Sequence, residues 1–202
     1  MLDYTYENSL QGPVAGLDEA GRGPLAGPVT AAAVILDPAD VPAGLDDSKR
    51  LSPKRRACLA AEIENHAAAW AVAHACPGQI ARLNVIGASF AAMGRAVAEL
   101  ATRPRLLLVD GPPQHLHQHS LNVPARFIVG GDGRIASIAA AGILAKVYRD
   151  RLMVRLDELY PGYGFAANKG YGTQALEALR RLGPCPAHRW SWRAVQQTAL
   201  FG

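Results

Sequence analysis

The feature that most limits how this chain can fold is a pair of apolar runs joined by a glycine-rich turn, over residues 14–36. The first run, Val14-Ala15-Gly16-Leu17, passes directly into two acids, Asp18 and Glu19. The turn Ala20-Gly21-Arg22-Gly23-Pro24 follows, and then Val29-Thr30-Ala31-Ala32-Ala33-Val34-Ile35-Leu36. Short apolar runs bounded by Gly and Pro read as buried strands. Successive strand side chains point to opposite faces, so inside a sheet Asp18 and Glu19 cannot both be solvated. An isolated buried carboxylate is too costly, so one of them must be paired, metal-bound or protonated. A strand-end Asp that caps the turn, with Glu19 on the surface, is the plainer alternative at this point.

The same pattern recurs. Leu106-Leu107-Leu108-Val109 is the most strand-like run and ends in Asp110-Gly111-Pro112-Pro113, while Arg126-Phe127-Ile128-Val129 leads into Gly130-Gly131-Asp132-Gly133. A further strand is expected over 70–75, where His74 reads as an accommodated strand residue rather than a ligand. Ser52-Pro53 predicts a capped helix to about residue 68, with Lys54, Arg55 and Arg56 as a solvated basic face in its first turn. Ile86, Phe90, Met93, Val97 and Leu100 recur at helical steps behind Asn84, a plausible cap. The longest helix is expected over 137–159, with Ile138, Ala141, Ala145, Tyr148, Leu152, Leu156 and Leu159 as its apolar stripe and Lys146, Arg149, Asp150 and Arg151 away from it. Thr173 is expected to cap a short helix through Leu182.

The chain has 202 residues, enough for one α/β domain with a small appendage. No apolar run approaches membrane-spanning length, and Met1-Leu2-Asp3-Tyr4 lacks the character of a signal peptide, so a cytoplasmic setting without a membrane is expected. Cys58, Cys76 and Cys185 are widely spaced and indicate neither a disulfide framework nor a zinc site. His115, His117 and His119 alternate in a Pro-flanked loop and read as solvated rather than metal-binding. The formal net charge of +4 and pI near 9.1 permit a polyanionic partner without demanding one.

Strand-end acids at Asp18, Glu19, Asp110 and Asp132 would repel one another if brought together, so they would bind cations or share protons. Hard oxygen ligands without His or Cys suit Mg²⁺ or Mn²⁺. Two such ions are a standard device for phosphodiester chemistry. A basic rim around an acidic centre would then hold a phosphate backbone.

At this point a family resemblance emerges. The run Gly16-Leu17-Asp18-Glu19-Ala20-Gly21-Arg22-Gly23-Pro24-Leu25-Ala26-Gly27-Pro28-Val29 resembles the opening signature of the bacterial type 2 ribonucleases H, the ribonuclease HII family. The resemblance continues through Asp47-Ser48-Lys49-Arg50-Leu51-Ser52, Val109-Asp110-Gly111, Gly131-Asp132, Ile143-Leu144-Ala145-Lys146-Val147-Tyr148-Arg149-Asp150, Tyr163-Gly164-Phe165, Lys169-Gly170-Tyr171 and His188-Arg189. It implies an α/β ribonuclease H-like fold: a five-stranded mixed sheet flanked by helices, with a C-terminal helical extension. A single catalytic domain over 1–202 is expected, with its core at about 12–160 and the extension at about 161–202.

The implied activity is endonucleolytic hydrolysis of the RNA strand of RNA·DNA hybrids, and nicking 5′ of single ribonucleotides in duplex DNA, with 3′-hydroxyl and 5′-phosphate ends. Ribonucleotide removal during replication and repair is the implied use. Asp18, Glu19, Asp110 and Asp132 match the family's metal-binding acids, which take two Mg²⁺ or Mn²⁺ ions during catalysis. Gly21, Arg22 and Gly23 match a turn whose backbone contacts the ribose 2′-hydroxyl, and Tyr171 matches a tyrosine that packs on the neighbouring deoxyribose. Lys49, Ser48 and Lys146 would hold phosphates. A monomer is expected, with a sliding clamp as a candidate protein partner. The chain departs from the family's usual pattern at Gly130 for lysine, Gly142 for serine, Asn168 for histidine and Trp192 for phenylalanine.

Overall fold

The computed structural model describes residues 2, 4–113 and 121–201, so the three histidines between 115 and 119 lie outside the described residues. Its elements in chain order are α1 (Thr5–Asn8), β1 (Val14–Ala20), β2 (Val29–Ile35), α2 (Pro53–His66), β3 (Ala69–Ala75), α3 (Pro77–Ala98), β4 (Leu106–Asp110), β5 (Ala125–Ile128), α4 (Ala136–Leu159), α5 (Phe165–Asn168), α6 (Gly172–Leu182) and α7 (Arg193–Phe201). A short 3₁₀ turn, Gly131–Gly133, stands between β5 and α4.

The five strands form one sheet in the order β3-β2-β1-β4-β5. β1 pairs antiparallel with β2, and β2 antiparallel with β3. β4 lies parallel to β1, and β5 parallel to β4. Parallel neighbours need long crossovers, which the helical stretch between β3 and β4 supplies for the first of these pairs. β1 is therefore the central strand. The mixed five-stranded sheet with flanking helices agrees with the fold expected from the sequence.

Alternation along the strands separates two cores. Ala15, Leu17, Ala31, Ala33, Leu107 and Val109 face Phe90, Met93 and Ala96 of α3. Ala32 and Val34 face Leu59 and Ile63 of α2 and the alanine-rich start of α4. Both faces are covered, which explains why β2 is buried at every position. Every residue of α4 from Ala136 to Ala145 is buried, so in this half the expected single stripe gives way to burial all round. The helix comes so close to β1 that a Cβ on Gly16 would lie 2.1 Å from the Ser137 carbonyl carbon.

Helix α3 begins earlier than the apolar periodicity indicates. Asn84, at φ 56 and ψ 175, breaks it into segments over 77–83 and 85–98. Its Oδ1 accepts from the N–H groups of Ile86 and Gly87 at 2.9 and 3.0 Å, so Asn84 does cap the second segment. The first segment starts with Pro77 at its first position, and Gln79 Oε1 accepts from the Cys76 N–H at 3.1 Å, a local signal that the neighbouring Gly78 obscures. Thr173 is not a cap: α6 starts one residue earlier, behind Tyr171, which makes no side-chain cap bond.

The C-terminal segment is tied into the body of the fold. His188 bridges to Ala26, and Met153 of α4 packs with Tyr163, Phe165, Ala178 and Ala187. The His74 side chain is held by Thr30, with Nδ1 2.9 Å from Oγ1. Among the described residues no helix is long and apolar enough to cross a membrane.

The start of α4 takes its cap from far away. Ile135 precedes the helix and offers no side-chain cap, but Glu7, only 2% exposed, accepts from the Ser137 N–H at 2.8 Å. A carboxylate at this end satisfies an orphan donor and complements the helix dipole. Glu7→Ala should lower stability by roughly 1–2 kcal/mol, with Glu7→Gln retaining part of it. Urea unfolding of the three proteins measures this, and an unchanged midpoint for the alanine variant would show the contact to be immaterial.

Candidate active site

Three elements bring the acids together. Asp18 and Glu19 belong to the last turn of pleat in β1, Asp110 is the final residue of the neighbouring β4, and Asp132 follows β5 in the 3₁₀ turn. One oxygen each from Asp18, Asp110 and Asp132 lie within 4.8 Å of one another. Glu19 stands apart from that trio because it shares the α3 face of β1 with Leu17, while Asp18 faces α4. Its Oε1 accepts from Arg22 Nη1 at 2.7 Å, and it lines a small recess with Asp110, Phe90 and Met93. Asp132 is not a strand-end residue; the left-handed Gly130 turns the chain back so that its carboxylate points toward β4.

The cluster is electrostatically loaded. Burial, then Glu19 and Asp110, raise the pKa of Asp18 well above the ordinary aspartate range. Burial also raises Glu19, although the Arg22 ion pair opposes it. Burial and then Asp132 raise Asp110, against the pull of its bond from the Gly131 N–H at 2.7 Å. Burial and like-charge crowding thus both work against ionisation of these three acids. On the helix side, Gly142 makes room for the crowding: a Cβ there would come 2.4 Å from Asp18 Oδ2.

The acids open into a cleft of about 530 Å³ lined by Asp18, Glu19, Gly21, Arg22, Gly23, Ser48, Lys49, Asp110, Lys146, Arg149 and Tyr171. Every substrate-contact candidate from the sequence is therefore on this surface. Lys49 Nζ lies 3.2 Å from Asp132 Oδ2 and 3.7 Å from Asp47 Oδ1. Burial tends to lower its pKa, but Asp132 and Asp47 outweigh that and raise it. Lys146 pairs with Asp150 at 2.8 Å, and Tyr171, 41% exposed, has its ring edge against Gly23.

Three arginines at or behind this surface escape the sequence reading. Arg149, expected away from the buried stripe, is only 1% exposed; it donates to the carbonyls of Pro28 (3.0 Å), Ala26 (3.2 Å) and Lys169 (3.1 Å). Arg189 is fully buried and donates to Gly21 (2.5 Å), Arg22 (2.7 Å), Gly27 (3.0 Å) and Pro28 (3.3 Å). Burial, and then the neighbouring Arg149, draw the Arg189 pKa down to about 9, which leaves it a cation at neutral pH. Arg56, expected on a solvated basic face, is buried; its Nη1 donates to the carbonyls of Ser48 and Leu51 and so shapes the loop that carries Lys49. Its neighbour Arg55 donates to the Ala43 carbonyl at 2.6 Å and pairs with Glu62. The only sequence signal for Arg149 and Arg189 is their place in the shared motifs.

Comparison with known proteins gives a consistent result. A family model described as Ribonuclease HII matches residues 15–195. The ribonuclease HII of Caulobacter vibrioides is 52% identical over 196 residues, covering 96% of this chain and 91% of the relative. That of Paracoccus denitrificans is 54% identical over 185 residues, covering 91% and 86%. Among solved structures, the ribonuclease H2 of Pyrococcus horikoshii superposes with a TM-score of 0.77 at 25% identity, covering 94% of this chain and 98% of the other. The Archaeoglobus fulgidus RNase HII, solved in complex with PCNA, gives a TM-score of 0.73 at 25% identity, covering 90% and 96%.

The raised pKa values of Asp18, Glu19 and Asp110 have a measurable sign. Above the ordinary carboxylate range the folded protein holds more protons than the unfolded chain, so the metal-free protein should lose stability as pH rises through that window. Asp110→Asn should flatten this slope and raise the melting temperature at mildly alkaline pH by roughly 2–4 °C for each kcal/mol of repulsion relieved. Thermal melts in EDTA across pH test it; a variant that keeps the wild-type slope would contradict the repulsion.

Proposed function

Because the chain belongs to the ribonuclease HII family, and is thus a ribonuclease H, an endonuclease acting on nucleic acid, we propose that it hydrolyses the RNA strand of RNA·DNA hybrids and nicks duplex DNA on the 5′ side of single embedded ribonucleotides. The products would be a 3′-hydroxyl and a 5′-phosphate. Removal of ribonucleotides from DNA during replication and repair is the use that follows. The observation that carries this reading is the convergence of Asp18, Asp110 and Asp132, the first two of which line one cleft with the Gly21-Arg22-Gly23 turn.

The donor set fits hard divalent cations. All three clustered groups are carboxylates, their like charges call for neutralisation, and no His or Cys joins them among the described residues. Asp18, Asp110 and Asp132 would hold Mg²⁺ or Mn²⁺, with Glu19 as the fourth acid. When bound, two such ions supply an activated water and stabilise the departing 3′ oxygen.

The chain's own residues do the rest. Gly21, Arg22 and Gly23 let main chain approach the sugar, whose 2′-hydroxyl separates RNA from DNA. Tyr171, whose ring lies beside Gly23, would pack against the adjoining deoxyribose. Lys49, Ser48 and Lys146 line the same cleft and would hold phosphates, with Lys49 also balancing Asp132. The net charge of +4 favours a polyanion overall. A monomer is the proposed assembly, and by analogy with the archaeal complex a sliding clamp is the proposed protein partner.

The test is a nicking assay on a duplex carrying one ribonucleotide, beside an all-DNA duplex of the same sequence, with Mg²⁺, Mn²⁺ or EDTA. A single nick 5′ of the ribonucleotide, only with an ion present, is expected. Asp110→Asn should reduce it to background while the circular dichroism spectrum stays unchanged. Equal cutting of the all-DNA duplex, or cutting in EDTA, would overturn the reading.

A further inference from the structure

Arg189 takes hold of the glycine turn from one side only. Its Nη2 donates to the Gly21 carbonyl at 2.5 Å and its Nη1 to the Arg22 carbonyl at 2.7 Å. No cis peptide occurs among the described residues, and in a planar trans peptide the carbonyl of one residue and the N–H of the next point in opposite directions. The N–H groups of Arg22 and Gly23 are therefore turned away from the guanidinium. Arg189 is fully buried and does not line the cleft, whereas Gly21, Arg22, Gly23 and Tyr171 do. The two N–H groups accordingly face the cleft, and among the described residues neither meets a protein acceptor.

We propose that Arg189 is a positioning residue for sugar recognition: by binding two carbonyls on its buried side, it presents the Arg22 and Gly23 amides as a preformed pair of donors to a ribose hydroxyl. This rests on the reading of the cleft as a ribonucleotide site. Arg189 itself touches no substrate. Its remaining bonds, to Gly27 and Pro28, anchor the guanidinium just before β2, and Arg149 also donates to Pro28 and to Ala26. Only a planar fork spans carbonyls on both limbs of the turn. A lysine keeps the charge but brings its donors to a single point.

The experiment uses Asp110→Asn protein, so that binding is measured without turnover, and two duplexes identical except for one ribonucleotide. Fluorescence anisotropy should show tighter binding of the ribonucleotide duplex. Adding Arg189→Lys should reduce that preference by about tenfold, the factor for roughly 1.4 kcal/mol of lost hydrogen bonding, with the all-DNA affinity nearly unchanged. Parallel weakening of both duplexes, or an unchanged preference, would overturn the proposal.

Should Arg189→Lys fail to fold, amide hydrogen exchange on Asp110→Asn protein with the native arginine decides the matter. The Arg22 and Gly23 amides should exchange freely alone, become protected by the ribonucleotide duplex, and stay unprotected with the all-DNA duplex. Protection in the free protein would refute the presented donors. If the Asp110→Asn protein binds both duplexes equally, it is the ribonucleotide reading that fails, a result distinct from loss of Arg189's role.

Discussion

The close passage of α4 along β1 is the constraint to which the site is referred. Four glycines mark the line of contact. Gly16 lies against the Ser137 and Ile138 backbone, Gly142 against Asp18, Gly21 against Arg149, and Gly27 against Met153 and Arg149. At each level a Cβ would come within 2.4 Å of its neighbour: at Gly16 that neighbour is the α4 backbone, so a side chain there would push strand and helix apart, whereas at the other three it is a side chain that would have to shift. On the helix, positions 138, 142, 149 and 153 fall on one face, and the strand and turn follow that face for its whole length. Close packing at this density transmits position: moving α4 moves Asp18, the turn and Lys146 together.

Function and stability pull in different directions within this frame. The acids are crowded at the strand ends, where Asp18 is buried and is repelled by Glu19 and Asp110. The surrounding structure holds them in place regardless, through two apolar cores, one on each face of the sheet, and through backbone bonds to the buried arginines. In the proposed function, charges that are unfavourable in isolation would become a site once cations and a phosphate backbone arrive. The division of labour between the faces is also plain: Asp18 looks toward α4, whereas Glu19 looks toward α3 and leans on Arg22.

What the sequence made legible was the local part. Strands ending near acids, the Asn84 cap and the glycine turn all show themselves within a few residues, because alternation, capping and turn chemistry act at short range. The motifs shared with a known family carried the fold and the acid set further than periodicity could. What stayed hidden was long-range. A buried arginine that binds main-chain carbonyls has no complementary acid to betray it, and Arg189 meets Gly21 across 168 positions of sequence. Arg56 and Arg149 likewise looked like ordinary solvated cations on amphipathic helices. Glu7 gave no hint that it caps a helix starting near residue 136, since cap signals are read next to the helix they cap.

Gly142 carries a consequence of its own. A glycine in mid-helix costs on the order of 1 kcal/mol relative to alanine, and α4 accepts that weakness at the level of Asp18. The absent side chain acts as a spacer of zero thickness, admitting a carboxylate oxygen into what would otherwise be helix surface. A methyl group here would gain helical propensity and lose clearance in the same stroke, so the most obvious stabilising substitution in the longest helix is also the one that displaces Asp18.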